Sequence, residues 1–207
     1  KPNCEIYNSA SMTLEEVIEK METGVRKGKK IVRLHTGDPS LYGAIREQMD
    51  LLDEKGITYE IIPGVSSFTA ACSRIKKEFT LPNVSQTVIL TRIEGRTPVP
   101  EEEELSSLAK HKASMALFLS VKEINRVVEK LKEGYGRDDV PVAVIYKATW
   151  EDEKIVLGTL KDIEEKVNNA GITKTAQILV GDFICGEYER SKLYDPSFSH
   201  EYREAIK

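Results

Sequence analysis

What this sequence lacks narrows the field before any motif is read. No apolar run approaches the length of a membrane-spanning helix, and no signal peptide is visible, so no membrane partner is expected. Its cysteines, Cys4, Cys72 and Cys185, are few and widely spaced, and none forms a CxxC pair. That argues for reduced thiols in a cytoplasmic protein and against a disulfide framework. The histidines, His35, His111 and His200, show no metal-ligand spacing, so no metal site is expected. A basic excess is missing too: Lys and Arg number 30 against 34 Asp and Glu, for a formal net charge of −4. No global field therefore draws nucleic acid, and an anionic partner would need a local basic patch.

Two phosphate motifs and one nucleophile motif also fail. "GVRKGKK" is one spacer short of the P-loop and carries Lys30 where Ser or Thr should bind magnesium. No GxGxxG follows any strand pattern. "GVSSF" is no nucleophile elbow, because Phe68 replaces the second glycine.

What is present is an ordinary globular composition, 31% charged and 40% hydrophobic over 207 residues, enough for one large domain or two small ones. Thr13 and Glu16 form a capping box, which predicts a helix from there to about Lys27. Residues 31–35 read as a strand, with Asp38 at an N-cap, Pro39 in the first turn, and a helix running to Gly56. Residues 57–64 read as a second strand, broken by Pro63-Gly64 into the short helix "SSFTAACSRI". This α-β-α-β-α order is the signature of a mainly parallel sheet in an N-terminal lobe spanning residues 1–82.

After a polar linker, "TLPNVSQ", a C-terminal lobe spans residues 83–207. Strand patterns appear in "TVILTR", "ASMALFLS", "VPVAVIYKATW", "EKIVLGTL" and "TAQILVGDF". Helix patterns appear in "LSSLAKH", "KEINRVVEKLKEG" and "KDIEEKVNNAG". Hairpin-like and crossover connections alternate, so this second sheet is expected to be mixed.

Two turns stand out, Thr36-Gly37-Asp38-Pro39 and Pro63-Gly64-Val65-Ser66-Ser67. Both follow predicted parallel strands, where open α/β sheets bind ligands. Glycine lets backbone amides approach a ligand, and Ser66 and Ser67 add small donors. An N-cap and a simple turn account for the same residues equally well. Arg92, Arg96, Lys122, Arg126 and Lys147 lie near strand ends, where arginine forks suit carboxylates; a solvated surface charge is the default reading for any one of them. The proline-rich loop "RIEGRTPVPE" is more suggestive as a unit. For Tyr146 and Trp150 the expectation is packing in the core or between lobes, although both flank a strand end beside Ala148.

The segments "VRLHTGDPSLYGAIREQM", "YEIIPGVSSFTAA", "TLPNVSQTVILTRIEGRTPVPE", "ALFLS", "YKATWEDEKIV" and "SKLYDPSFSH" together resemble the tetrapyrrole methylases, from about residue 7 to residue 200. TGDPSLYG and PGVSS mark the superfamily. EGRTPVPE and SQTVILTR point to its members that methylate C11 of precorrin-4 or cobalt-precorrin-4 in cobalamin biosynthesis. The resemblance implies a two-lobed α/β fold, a homodimer, and S-adenosylmethionine held between the lobes and leaving as S-adenosylhomocysteine. Carried over by motif, Thr36, Gly37, Asp38 and Leu41 line the cofactor pocket and Ser66 and Ser67 meet the cofactor. Leu119, Ala148 and Ala176 match positions that contact it.

The implied substrate, a corrinoid precursor, carries many carboxylates, so Arg96, Arg92 and Lys147 become a substrate clamp, with Arg96 favoured for its place in the C11-specific loop. No residue stands out as a catalytic base. One departure is plain. Family members begin with a strand and a GxGPGD-type loop, whereas this chain opens Lys1-Pro2-Asn3-Cys4. The expectation is a truncated version of the enzyme. Its alternatives are a non-catalytic cofactor- or tetrapyrrole-binding module, or a methylase acting at another ring position.

Overall fold

A computed structural model describes residues 4–206. Residues 1–3, on which the expected departure from the family's opening falls, lie outside the described residues, as does residue 207. The chain divides into two compact units, residues 1–66 and 67–207.

In the first unit the capping box forms as the sequence dictates. The Thr13 amide donates to Glu16 Oε2 at 2.7 Å, and the Glu16 amide donates to Thr13 Oγ1 at 3.3 Å. Helix α1 (Leu14–Arg26) follows and packs Ile18 and Met21 against Leu52 of α2 (Arg46–Glu54).

Two expectations are corrected in this unit. Residues 31–35 and 57–64 form no strand, so the parallel sheet expected here is absent among the described residues. A strand needs a ladder partner and one buried face, whereas Val32 and Leu34 are 74% and 82% exposed. The helix expected from Pro39 starts only at Arg46. Tyr42 (φ 55°) and Ala44 (φ 48°) are left-handed, a conformation no right-handed helix can contain. Leu41 therefore lies in a turn, its amide donating to the Asp38 carbonyl at 3.3 Å.

The second unit runs α3 (Ser67–Arg74), β1 (Val88–Thr91), α4 (Leu105–Ala109), β2 (Ser114–Leu117), α5 (Ile124–Tyr135), β3 (Pro141–Tyr146), β4 (Lys154–Thr159), α6 (Ile163–Asn169) and β5 (Ala176–Val180). These are the elements that the periodicity predicts. Helix α3, which the sequence reading groups with the N-terminal lobe, packs Ala71 and Cys72 into this unit's core.

The strands form one mixed sheet in the order β1-β2-β5-β3-β4. β1 and β2 are parallel, and the other neighbours are antiparallel. Side-chain alternation sorts residues between the two faces. Met115, Leu117, Val142, Val144, Ile178 and Val180 join α4, α5 and α6 in one core layer. Ala116, Ala143, Ile145 and Leu179 meet α3, Phe79 and Phe183 in the other. Each large side chain so buried contributes about 1.5–3 kcal/mol. Helix α5 ends at Gly136 (φ 70°), whose left-handed backbone lets its amide reach the Lys132 carbonyl.

The four-glutamate run has a structural task at its last member. Glu104 caps α4, accepting from the amides of Ser106 (2.9 Å) and Ser107 (3.2 Å) and from the Ser106 hydroxyl. Lys130 of α5 lies 2.8 Å from its other oxygen, so one carboxylate joins two helices. Burial pushes this carboxyl up, but Lys130, the Ser106 hydroxyl and the Ser107 amide outweigh it and hold the group at about 2. A depressed folded-state pKa stabilises above the ordinary value of 4.5, and that stability is lost as pH falls toward about 2. Glu104→Gln is expected to cost about 1–2 kcal/mol in urea denaturation at pH 7. The gap to wild type should close on acidification through that window; a gap constant with pH would refute the assignment.

Candidate active site

In the first unit, the two singled-out turns are tied to each other by one carboxylate. Asp38 Oδ1 accepts from the Ser40 amide at 2.8 Å and from the Ser40 hydroxyl, while Oδ2 accepts from the Gly64 amide at 3.0 Å. The Ser40 hydroxyl, then the Gly64 and Ser40 amides, hold the Asp38 carboxyl below its ordinary range. Asp38 is thus a clamp between turns rather than the helix N-cap that the sequence suggests. A carboxylate offers about four acceptor sites, so it retains capacity for a ligand donor. Gly64 is required by the closeness of the turns, since a Cβ there would lie 2.1 Å from the Gly37 carbonyl oxygen. Thr36 and Gly37 stay exposed beside this clamp.

In the second unit, strand register gathers the other candidates at one end of the sheet. Thr91 pairs with Leu117, Leu117 with Ile178, and Tyr146 with Ala176, so β1, β2 and β3 finish where β5 begins. The loops that follow carry Arg92 and Arg96, Leu119, and Lys147 and Ala148, and Ala176 sits at the same end. This is the carboxyl end of the parallel pair β1 and β2. Four non-glycine residues here are left-handed: Leu119 (φ 55°), Lys147 (φ 47°), Thr149 (φ 74°) and Thr175 (φ 55°). Such strain of about 1–3 kcal/mol per residue clusters at functional sites. Leu119 is also 76% exposed, an apolar side chain held out toward solvent by a strained turn.

Ser67 opens α3 and donates its hydroxyl to Gln177 Oε1 at 2.8 Å. Gln177, 3% exposed, donates in turn to the Leu117 carbonyl at 2.9 Å. The sequence reading missed Gln177. The available signal was a lone amide inside the apolar strand "TAQILV", since a buried polar side chain needs partners and so marks a fixed geometry. Ser66, the last residue of the first unit, is itself buried.

The three cations expected to clamp substrate differ in their engagement. Arg96 is exposed and has no hydrogen bond or ion pair among the described residues. Arg92 spends its guanidinium on the carbonyls of Ile93 (3.3 Å), Thr97 (3.1 Å) and Pro98 (2.7 Å). Lys147 pairs with Asp152 at 2.6 Å and lies over the rings of Tyr146 and Trp150. Trp150 is 62% exposed, which corrects the expectation of core packing; Tyr146 does pack against the core. The described cysteines are all free thiols, and Cys72 is pushed up to about 11 by burial and the Glu78 charge.

Comparison with known proteins now defines the class. Residues 1–164 match the family of Tetrapyrrole (Corrin/Porphyrin) Methylases, and the chain belongs to that family. A cobalt-precorrin-4 C(11)-methyltransferase of Methanocaldococcus jannaschii is 61% identical over 208 residues, covering 100% of this chain and 80% of the relative. A precorrin-4 C(11)-methyltransferase of Pseudomonas aeruginosa is 46% identical, covering 96% of this chain and 80% of the relative. The X-ray structure of a cobalt precorrin-4 methyltransferase, a cobalamin biosynthetic enzyme, superposes with a TM-score of 0.87 at 50% identity, over 89% of this chain and 77% of its own.

Asp38→Ala is expected to release the Ser40 and Gly64 amides, speeding their hydrogen exchange about tenfold or more while α1 amides are unchanged. Unchanged exchange at both amides would show that the clamp does not hold the turns together.

Proposed function

We propose that this chain is an S-adenosylmethionine-dependent C-methyltransferase acting at C11 of precorrin-4 or its cobalt form, in cobalamin biosynthesis. The likeness to C11-methyltransferases along the whole chain carries the reading. The residues at the sheet end suit the chemistry. When bound, the cofactor would supply a sulfonium-bound methyl group to a nucleophilic ring carbon, sulfur keeping the electron pair of the broken bond. That displacement needs alignment and exclusion of water more than a protein nucleophile. In the first unit, Thr36, Gly37, Asp38 and Leu41, with Ser66, are assigned to cofactor binding. In the second, Ser67, Leu119, Ala148 and Ala176 take that role, the apolar Leu119 and the small alanines suiting an adenosyl group packed flat.

Arg96 is assigned to a substrate carboxylate, and Lys147 can add a second contact on exchanging its Asp152 partner. The proton released from the ring system goes to solvent or to a carboxylate of the substrate itself. A cytoplasmic homodimer is part of the same reading, supported by the reduced thiols and the family. Among the described residues no helix is long and apolar enough to cross a membrane.

Calorimetric titration with S-adenosylhomocysteine is expected to show micromolar binding, weakened about tenfold or more by Asp38→Ala. Incubation with S-adenosylmethionine and precorrin-4, with or without cobalt, should add one methyl group, which NMR would place at C11. Binding without turnover of either substrate would instead support a binding module. Methylation at another carbon would reassign the ring position.

A further inference from the structure

The loop 93–100 holds one cation, Arg96, and one acid two residues before it, Glu94. Two side chains of opposite charge so close in a loop would ordinarily pair with each other. Here they do not, because neighbouring arginines have already claimed the rest of the loop. Arg126, from α5, donates through one guanidinium nitrogen to the Glu94 carboxylate and through the other to the Glu94 carbonyl at 3.4 Å. Arg92, at the end of β1, bridges the two legs of the loop by donating to the carbonyls of Ile93 on one side and Thr97 and Pro98 on the other. The Ile93 amide is anchored as well, donating to the buried Ser120 hydroxyl at 3.0 Å. Both legs are pinned, and only the tip with Gly95 and Arg96 projects.

We propose that Arg92 and Arg126 are positioning residues for substrate recognition, and that Arg126 acts by sequestering Glu94 so that the Arg96 guanidinium stays unpaired for a carboxylate of the tetrapyrrole. The inference rests on the proposed function for the identity of that anion. The chemistry is specific to arginine. A guanidinium presents five donors in a fixed fork and can hold three carbonyls together, which a lysine ammonium of the same charge cannot do in this geometry. Arg126 has a second effect, because it neutralises an acid that would otherwise repel a polycarboxylate and compete for Arg96. Its other neighbour, Glu123, lies 3.9 Å away, too far to displace Glu94 from the shorter contact.

The test separates charge from scaffolding by rescue. In the full chain, Arg126→Gln is expected to raise KM for the precorrin-4 substrate about fivefold with kcat and S-adenosylhomocysteine affinity little changed. Adding Glu94→Gln to Arg126→Gln should restore KM, since the released acid is then gone. Arg92→Lys should raise KM without rescue from the same second change. If the double variant is as impaired as Arg126→Gln, the sequestering role is overturned and the tie is only structural.

A readout that needs no substrate stands beside it. Phenylglyoxal should modify Arg96 faster than Arg92 or Arg126 in wild type, more slowly in Arg126→Gln, and again at the wild-type rate in the double variant. Equal Arg96 reactivity in all three proteins overturns the inference whatever the enzyme methylates. The expected reactivity pattern, with no methylation of precorrin-4 in either form by wild type, upholds the loop device and refutes the proposed substrate instead.

Discussion

A single buried amide holds together the end of the second unit's sheet where β1, β2 and β3 finish. Gln177 lies within the sheet, where an unpaired amide would cost about 1–3 kcal/mol. Its two bonds, accepting from Ser67 and donating to Leu117, cancel that penalty only while α3 starts at one place relative to β2 and β5. The start of α3 is where the PGVSS turn ends, and the end of β2 is where the strained loop carrying Leu119 begins. A hydrophobic residue at 177 would pack as well but would leave α3 free to slide along the sheet, because apolar contact is not directional.

The second unit was legible in the sequence for a physical reason. Its strands β2, β3 and β5 are almost wholly buried, and its helices carry apolar stripes closed by caps and glycine stops, so local pattern and tertiary burial agree there. The first unit was less so. Residues 31–35 and 57–64 have strand-like composition, yet composition cannot supply a ladder partner, and their apolar side chains other than Ile57 remain exposed. The Asp38-Pro39 pair looked like a helix start, but Asp38 uses its carboxylate across to Gly64. That is a contact 26 residues away, which no local rule encodes. The motif residues of the site were found by resemblance. Gln177 was missed, and the bracing contacts of Arg92 and Arg126, singled out only as cations near strand ends, show only when donors and acceptors are paired in space.

The electrostatics follow the same division of labour. A chain with net charge −4 has no overall attraction for a polycarboxylate, so recognition has to be local. Of the cations near the sheet end, Arg92, Arg126 and Lys147 are each engaged by the protein, whereas Arg96 on the braced loop and Lys122 after β2 are left free among the described residues. A free charge on a braced loop discriminates by position. A spread of mobile lysines would attract anions of any shape.

Leu119 shows what such an arrangement implies for the history of the fold. Judged by folding free energy alone, the position is poorly filled: a left-handed backbone disfavours any β-carbon, and water disfavours an isobutyl group. Drift should carry the codon toward glycine or asparagine, and the folded chain would gain by it. A leucine persisting there in a lineage would be the mark of selection acting through the ligand. Loss of the pathway would remove that pressure, making this position an early recorder of whether the enzyme is still in use.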